Sequence, residues 1–282
     1  MNGTMDKVVD GLIFPEGPLW WDGDLLFVEI YGHRVSRWDG RRRTTLWHEA
    51  GCGACAVERG PQDSLLVACF EGHFLARLTP EGRLIEKRAV GDDGHPLTGA
   101  NDLVPDGKGG AYVTASGLWD VAAPPGGSVF HLAPDGRLAR VADGLHFTNG
   151  IALIDGGRTL LVAETLGRQV TAFTVEDDGS LAEPRLFCRL DDFGALPAGA
   201  DPYAGPDGME LHPSGDVWIC EYGAGRVHVV DGKARLRRTI AMPGIGVTNV
   251  AFDPEGKNAY LTVVDEPTKH PFPGAIWRVD AM

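Results

Sequence analysis

Residues 149–164 read NGIALIDGGRTLLVAE, and residues 207–221 read DGMELHPSGDVWICE. Each passage is a polar residue, a short apolar stretch, a glycine-bearing turn, and a second, strongly apolar stretch. The pattern recurs at 16–30 (EGPLWWDGDLLFVEI), 53–69 (GACAVERGPQDSLLVAC), 101–115 (NDLVPDGKGGAYVTA) and 249–263 (NVAFDPEGKNAYLTV). Every copy runs on into a third apolar-alternating stretch: RVSRWD, FLARLTP, SVFHLAP, QVTAFTV, RVHVVD and AIWRVD. Repeat units that cannot bury their apolar faces alone must stack on one another.

Composition settles which elements these are. Gly contributes 39 of 282 residues, roughly twice its usual share, and Pro another 19. The longest stretch free of both is Arg168–Asp178, eleven residues with a strand pattern, RQVTAFTVEDD. Helical bundles and Rossmann-type folds need longer uninterrupted segments. The chain is therefore expected to be all-β: a six-bladed β-propeller, one domain over 1–282. The segment KVVDGLIF precedes the first copy and is expected to add the outer strand to the last blade, closing the ring.

The net charge of −13 argues against nucleic-acid and anionic-membrane partners. Residues 1–10, MNGTMDKVVD, lack a basic segment followed by an apolar core, and no apolar run reaches the ~18 residues of a membrane span. A cytoplasmic location is the expectation, and a monomer, because propellers protect their strand edges. Five cysteines make no disulfide framework. Cys52 and Cys55 form a CxxC pair without a second half for zinc, and are read as small residues at an inner strand.

In a propeller the innermost strands line a central channel, so residues at one register meet at its mouth. That register reads Glu16, Gly53, Asn101, Asn149, Asp207 and Asn249. Five of the six carry side-chain oxygens. Carboxylates brought together repel, and a cation between them relieves the repulsion. Oxygen donors without His or Cys favour Ca²⁺, Mg²⁺ or Mn²⁺. Asp102 follows Asn101 and, on a period of two, is expected to point away from the channel. No G-x-S-x-G elbow exists, which counts against a serine hydrolase.

The segments FPEGPLW, NDLVPDGKGGAYVT, FTNGIAL and PDGMELHPSGDVWI occur in that order, and with them the chain resembles the SMP-30/gluconolactonase/LRE family over 14–280. The resemblance implies a propeller that hydrolyses lactones with one divalent cation, Ca²⁺ first, with Zn²⁺, Mn²⁺ or Mg²⁺ as alternatives. It implies that Glu16, Asn149 and Asp207 hold the metal. It implies that Asn101 contacts substrate or water, and that Asp207 doubles as general base. His146, three residues before Asn149, is a candidate substrate contact. The expected partner is a small-molecule lactone. Two departures bear on which one: Gly99 stands where sugar-lactonase members often carry Arg, and Ser116–Gly117 where some carry an acid. Phe14, Trp20, Trp119, Tyr203 and Phe272 point to a partly apolar rim, and the segments 116–127, 190–206 and 265–274 to its walls. Two other readings are phosphotriester hydrolysis on the same scaffold and a non-enzymatic propeller that binds a protein.

Overall fold

The computed structural model describes residues 4–282; positions 1–3 of the expected 1–282 domain lie outside the described residues. Among the described residues the chain is all-β, apart from two short 3₁₀ turns at Pro61–Asp63 and Leu190–Phe193. Its strands form six antiparallel units of four. Four units are separate sheets, whose first strands are Pro15–Trp21, Ala54–Gly60, Ala100–Pro105 and Thr148–Ile154. The other two begin with Gly205–Leu211 and Gly246–Phe252, and they are joined edgewise by a single pairing, Tyr222 with Gly246. The unit beginning at Gly246 takes its fourth strand from the other end of the chain: Met5–Ile13 pairs antiparallel with Pro273–Asp280.

The second strand of each unit is buried on both faces. Leu25 to Val28 and Leu65 to Cys69 are at most 1% exposed. Doubly covered strands read as continuous apolar runs, which accounts for LLFV, LLVAC and VWIC. The core consists of six apolar clusters, each seated between consecutive units. Leu26 and Val28 pack against Val57 and Val67. Leu66 packs against Leu103 and Val113, and Tyr112 and Val129 against Ile151 and Val162. Leu161 packs against Met209 and Ile219, and Trp218 against Val250 and Leu261. The sixth cluster joins the last unit to the first: Val9 and Leu12 of the N-terminal strand with Ile276, Leu25 and Phe27. First strands touch in the same cyclic order, that of the last unit against that of the first.

One irregularity repeats. In all six units the pairing of first and second strands shifts register at the start of the shared motif, as between Glu16 and Leu19, Ala100 and Leu103, and Thr148 and Ile151. The same shift lies between Ala54 and Ala56, Pro206 and Met209, and Val247 and Asn249. A bulge breaks the alternation of a strand and re-aims its side chains.

Candidate metal-binding and active site

The bulges put two consecutive residues of each first strand toward the common axis. Superposing the units on them corrects two positions of the sequence register. The upper ring holds Glu16, Cys55, Asn101, Asn149, Asp207 and Thr248, so Cys55 replaces Gly53, and Thr248 replaces Asn249. The ring below holds Gly17, Ala56, Asp102, Gly150, Gly208 and Asn249. Four of these six are glycine or alanine because the strands crowd at the axis. A Cβ on Gly17 would lie 2.6 Å from the Ala56 Cα, and one on Gly150 would lie 2.1 Å from the Asp207 carbonyl oxygen.

Asp102 occupies this second ring and does not point away from the channel. Its Oδ1 accepts from the Leu103 N–H (2.9 Å), and its Oδ2 from the Ile151 N–H of the next unit (3.3 Å). The Asn249 carboxamide favours the charged form of Asp102, and Asn249 Nδ2 donates to Glu16 Oε2 at 3.0 Å. Asn249 thus ties the carboxylates of the two rings together. The space it fills is that of a missing side chain: a Cβ on Gly208 would sit 2.1 Å from its Cγ. Gly208→Ala is therefore expected to push Asn249 off Glu16. It should lower activity about 10–100-fold and stability by about 1–3 kcal/mol, checked by initial rates and urea unfolding.

Glu16, Asn101, Asn149 and Asp207 are each at most 7% exposed and line one cavity of about 390 Å³. Asn101 Nδ2 donates to Ser116 Oγ (2.9 Å), which donates to the Thr148 carbonyl (2.6 Å). Ser116, where some lactonases carry an acid, here fixes the orientation of Asn101. The Asn149 carboxamide and the Gly208 N–H favour the charged form of Asp207. Glu16 accepts from Gly17 N–H in addition to Asn249. Burial pushes the Glu16 carboxyl well above the usual range, and the charges of Asp207 and Asp102 push it further. Burial, then Asp102, does the same to Asp207. Burial also raises Asp102 to about 7. The groups that offset these rises are amides, not cations. Further down the same face lie Glu58, raised by burial to about 7, and Glu210, raised to about 8 by burial and then by Glu58.

Among the described residues no three side chains of His, Cys, Asp and Glu are drawn together as a metal cage. The convergent donors are two carboxylates and two carboxamides. Hard oxygens, buried negative charge and the absence of an offsetting cation fit a divalent ion of the Ca²⁺, Mg²⁺ or Mn²⁺ kind. They fit a thiol-seeking ion poorly: Cys55 lines the cavity, but burial, then Glu16, pushes its thiol well up.

His146 is exposed and does not line the cavity. Its N–H donates to buried Glu164 (2.8 Å), and the next residue, Phe147, turns through φ +59° so that its ring faces inward instead. Trp20 also lies off the site, in an edge contact with Tyr260. Phe14 and Trp119 line the cavity as expected, Tyr203 and Phe272 pack behind lining rings, and Pro267 brings in the 265–274 segment. Phe70, Phe147, Tyr31 and Tyr222 are lining residues that the sequence reading missed. His33 and His73 serve as caps: their Nδ1 atoms accept from the N–H groups of Gly53 (3.2 Å) and Gly99 (2.9 Å). All five cysteines are free and buried.

The family model described as SMP-30/Gluconolactonase/LRE-like region matches residues 14–265, and the chain belongs to this family. Regucalcin of Xenopus laevis is 25% identical over 283 residues, covering 95% of this chain and 90% of that protein. The lactonase drp35 of Staphylococcus aureus is 28% identical over 210 residues, covering 72% of this chain; the chain spans 60% of drp35's length in that match. The solved structure of a gluconolactonase from Xanthomonas campestris superposes with a TM-score of 0.79 at 26% identity, covering 99% of this chain and 90% of that one. No helix among the described residues is long and apolar enough to cross a membrane.

Proposed function

We propose that the chain is one six-bladed β-propeller domain, closed by its N-terminal strand, and that it hydrolyses a small-molecule lactone with the help of one divalent cation. The cyclic order of the six interface clusters supports the fold. The observation that carries the function is the buried, unneutralised carboxylate pair Glu16 and Asp207 on the floor of a small-molecule-sized cavity. Family membership supports the reaction class.

Glu16, Asn149 and Asp207 would hold the cation, Ca²⁺ being the first choice. When bound, such an ion supplies Lewis acidity toward the lactone carbonyl and makes water a better nucleophile. The protein's own residues do the rest. Asn101, locked by Ser116, orients the lactone or the attacking water. As the water oxygen bonds to the carbonyl carbon, Asp207 takes the water's proton. The ring C–O bond breaks when the carbonyl re-forms, and the departing alkoxide recovers that proton to leave a hydroxy acid. A monomer acting in the cytoplasm is the setting this reading assumes.

The test is lactone hydrolysis before and after chelation. Activity that falls at least about 10²-fold in EDTA and returns with Ca²⁺, Mn²⁺, Mg²⁺ or Zn²⁺ supports the reading. Hydrolysis unaffected by complete removal of metal contradicts it.

A further inference from the structure

The cavity changes character with height. Its floor is polar, but two aromatic walls rise from it. On one side Phe14 lies within 6.4 Å (centroid to centroid) of Tyr31, Tyr222 and Phe272, and Tyr31 stacks on Phe272 at 4.5 Å. On the other, Phe147 packs edge-on to Trp119 at 4.7 Å and beside Phe70 at 6.1 Å. Among the described residues no Lys or Arg side chain lines the space between them; the Glu71 carboxylate does, beside His33 at 3.4 Å.

Two of these rings are held in place against the preference of their backbone. The residue two positions before each upper-ring residue is Phe14, Gly53, Gly99 and Phe147 in the first four units. All four have positive φ: +51°, +54°, +66° and +59°. Glycine adopts this conformation freely, and ring-bearing residues adopt it at a cost. The first and fourth units nevertheless carry phenylalanine, and both rings face the cavity. In the third unit the space above Gly99 is filled by Phe70, whose Cε2 would lie 3.0 Å from a Cβ at that position. Strained residues persist where the surrounding structure imposes them, and they gather at ligand-binding sites. A polyhydroxylated ring between these walls would lose hydrogen bonds to water and meet mostly ring faces, with side-chain partners above the floor limited to Glu71, Thr165 and the hydroxyls of Tyr31 and Tyr222. An apolar group there loses none.

We propose that the substrate is a lactone bearing an apolar, ring-sized substituent, aryl or alkyl, seated between the Phe14–Tyr31 wall and the Phe147–Trp119 wall while its ester lies on the polar floor. This rests on the reading of that floor as the hydrolytic site.

The test compares γ-phenyl-γ-butyrolactone with glucono-δ-lactone on enzyme loaded with Ca²⁺. The expected kcat/KM is at least about tenfold higher for the phenyl lactone, about 1.4 kcal/mol of discrimination. Trp119→Ala, an exposed position, and Phe14→Gly, which returns a glycine to a backbone that favours one, are each expected to cut that ratio about fivefold. Both should keep a cooperative melt. A preference for glucono-δ-lactone, or a ratio unmoved by both variants, overturns the proposal while leaving the hydrolase reading intact. If no lactone is hydrolysed, the hydrolase reading fails, and calorimetry with two unreactive lactams decides the proposal alone. Tighter binding of 5-phenyl-2-pyrrolidinone than of gluconolactam supports it, and the reverse order or equal affinity overturns it.

Discussion

Asp207→Asn and Glu16→Gln are each expected to lower kcat/KM about 10²–10³-fold or more, while the metal-free variant melts at a higher temperature than metal-free wild type. The two effects have one cause. Both carboxylates are buried; Asp207 and Asp102 raise the cost of ionising Glu16, and Asp102 raises that of Asp207. Without a cation, an amide of the same shape removes that repulsion and keeps an oxygen for the Gly17 or Gly208 N–H. With a cation, the same change removes a ligand and, at Asp207, the proton acceptor. Thermal melts in EDTA and in excess Ca²⁺, run beside initial rates, separate the two. A variant that retains wild-type turnover would remove that residue from the site. A variant that loses activity and also melts lower in EDTA would mark a structural role instead.

The stability of the metal-free protein should fall as pH rises from about 5 to 8, opposite to ordinary acid denaturation. Burial raises Asp102 and Glu58 to about 7, and Glu210 to about 8. A carboxyl whose folded pKa lies above its unfolded value stabilises the fold while protonated. That contribution is full below about pH 4 and is lost as pH climbs through the folded value. For Asp102, which is 7% exposed, the loss is on the order of a few kcal/mol. Glu58 and Glu210 are half-buried, and their share is screened. The melting temperature in EDTA should drop by roughly 5–10 °C across this window. Saturating Ca²⁺ should abolish the drop, because it binds the ionised site. The stabilisation by Ca²⁺ therefore grows with pH. A flat profile in EDTA would mean that cationic groups or water already neutralise the axis.

Much of the architecture is readable without coordinates. Six copies of one polar–apolar–turn–apolar pattern specify the units, and the unmatched segment KVVDGLIF specifies the strand that joins the last unit, pairing Met5 with Val279 and Ile13 with Pro273. Glu16, Asn101, Asn149 and Asp207 do converge on one cavity, because each is the second or third residue of a first strand. The errors came from treating those strands as regular. The bulge after each polar residue turns two neighbours inward, so alternation misplaced Asp102, and alignment on oxygen-bearing residues slipped by two positions at Cys55 and by one at Thr248. A signal was available: EGP, CAV, NDL, NGI, DGM and TNV share a small second residue in four copies, where the strands crowd. The positive φ at Phe147 had no such signal. From the sequence His146 is the candidate inward residue, because nothing in FTNG shows that the chain turns left-handed at Phe147. Phe70 follows the second strand of its unit, and only the packing of neighbouring units brings it over Gly99.

The most direct measurement is the anomalous scattering of crystals grown with Mn²⁺ as a reporter for the proposed cation. The expected result is one strong peak on the axis, within about 2–2.6 Å of carboxylate or carboxamide oxygens of Glu16, Asn149 and Asp207. A peak elsewhere, or none at millimolar Mn²⁺, would contradict the assignment of these three residues as the metal site.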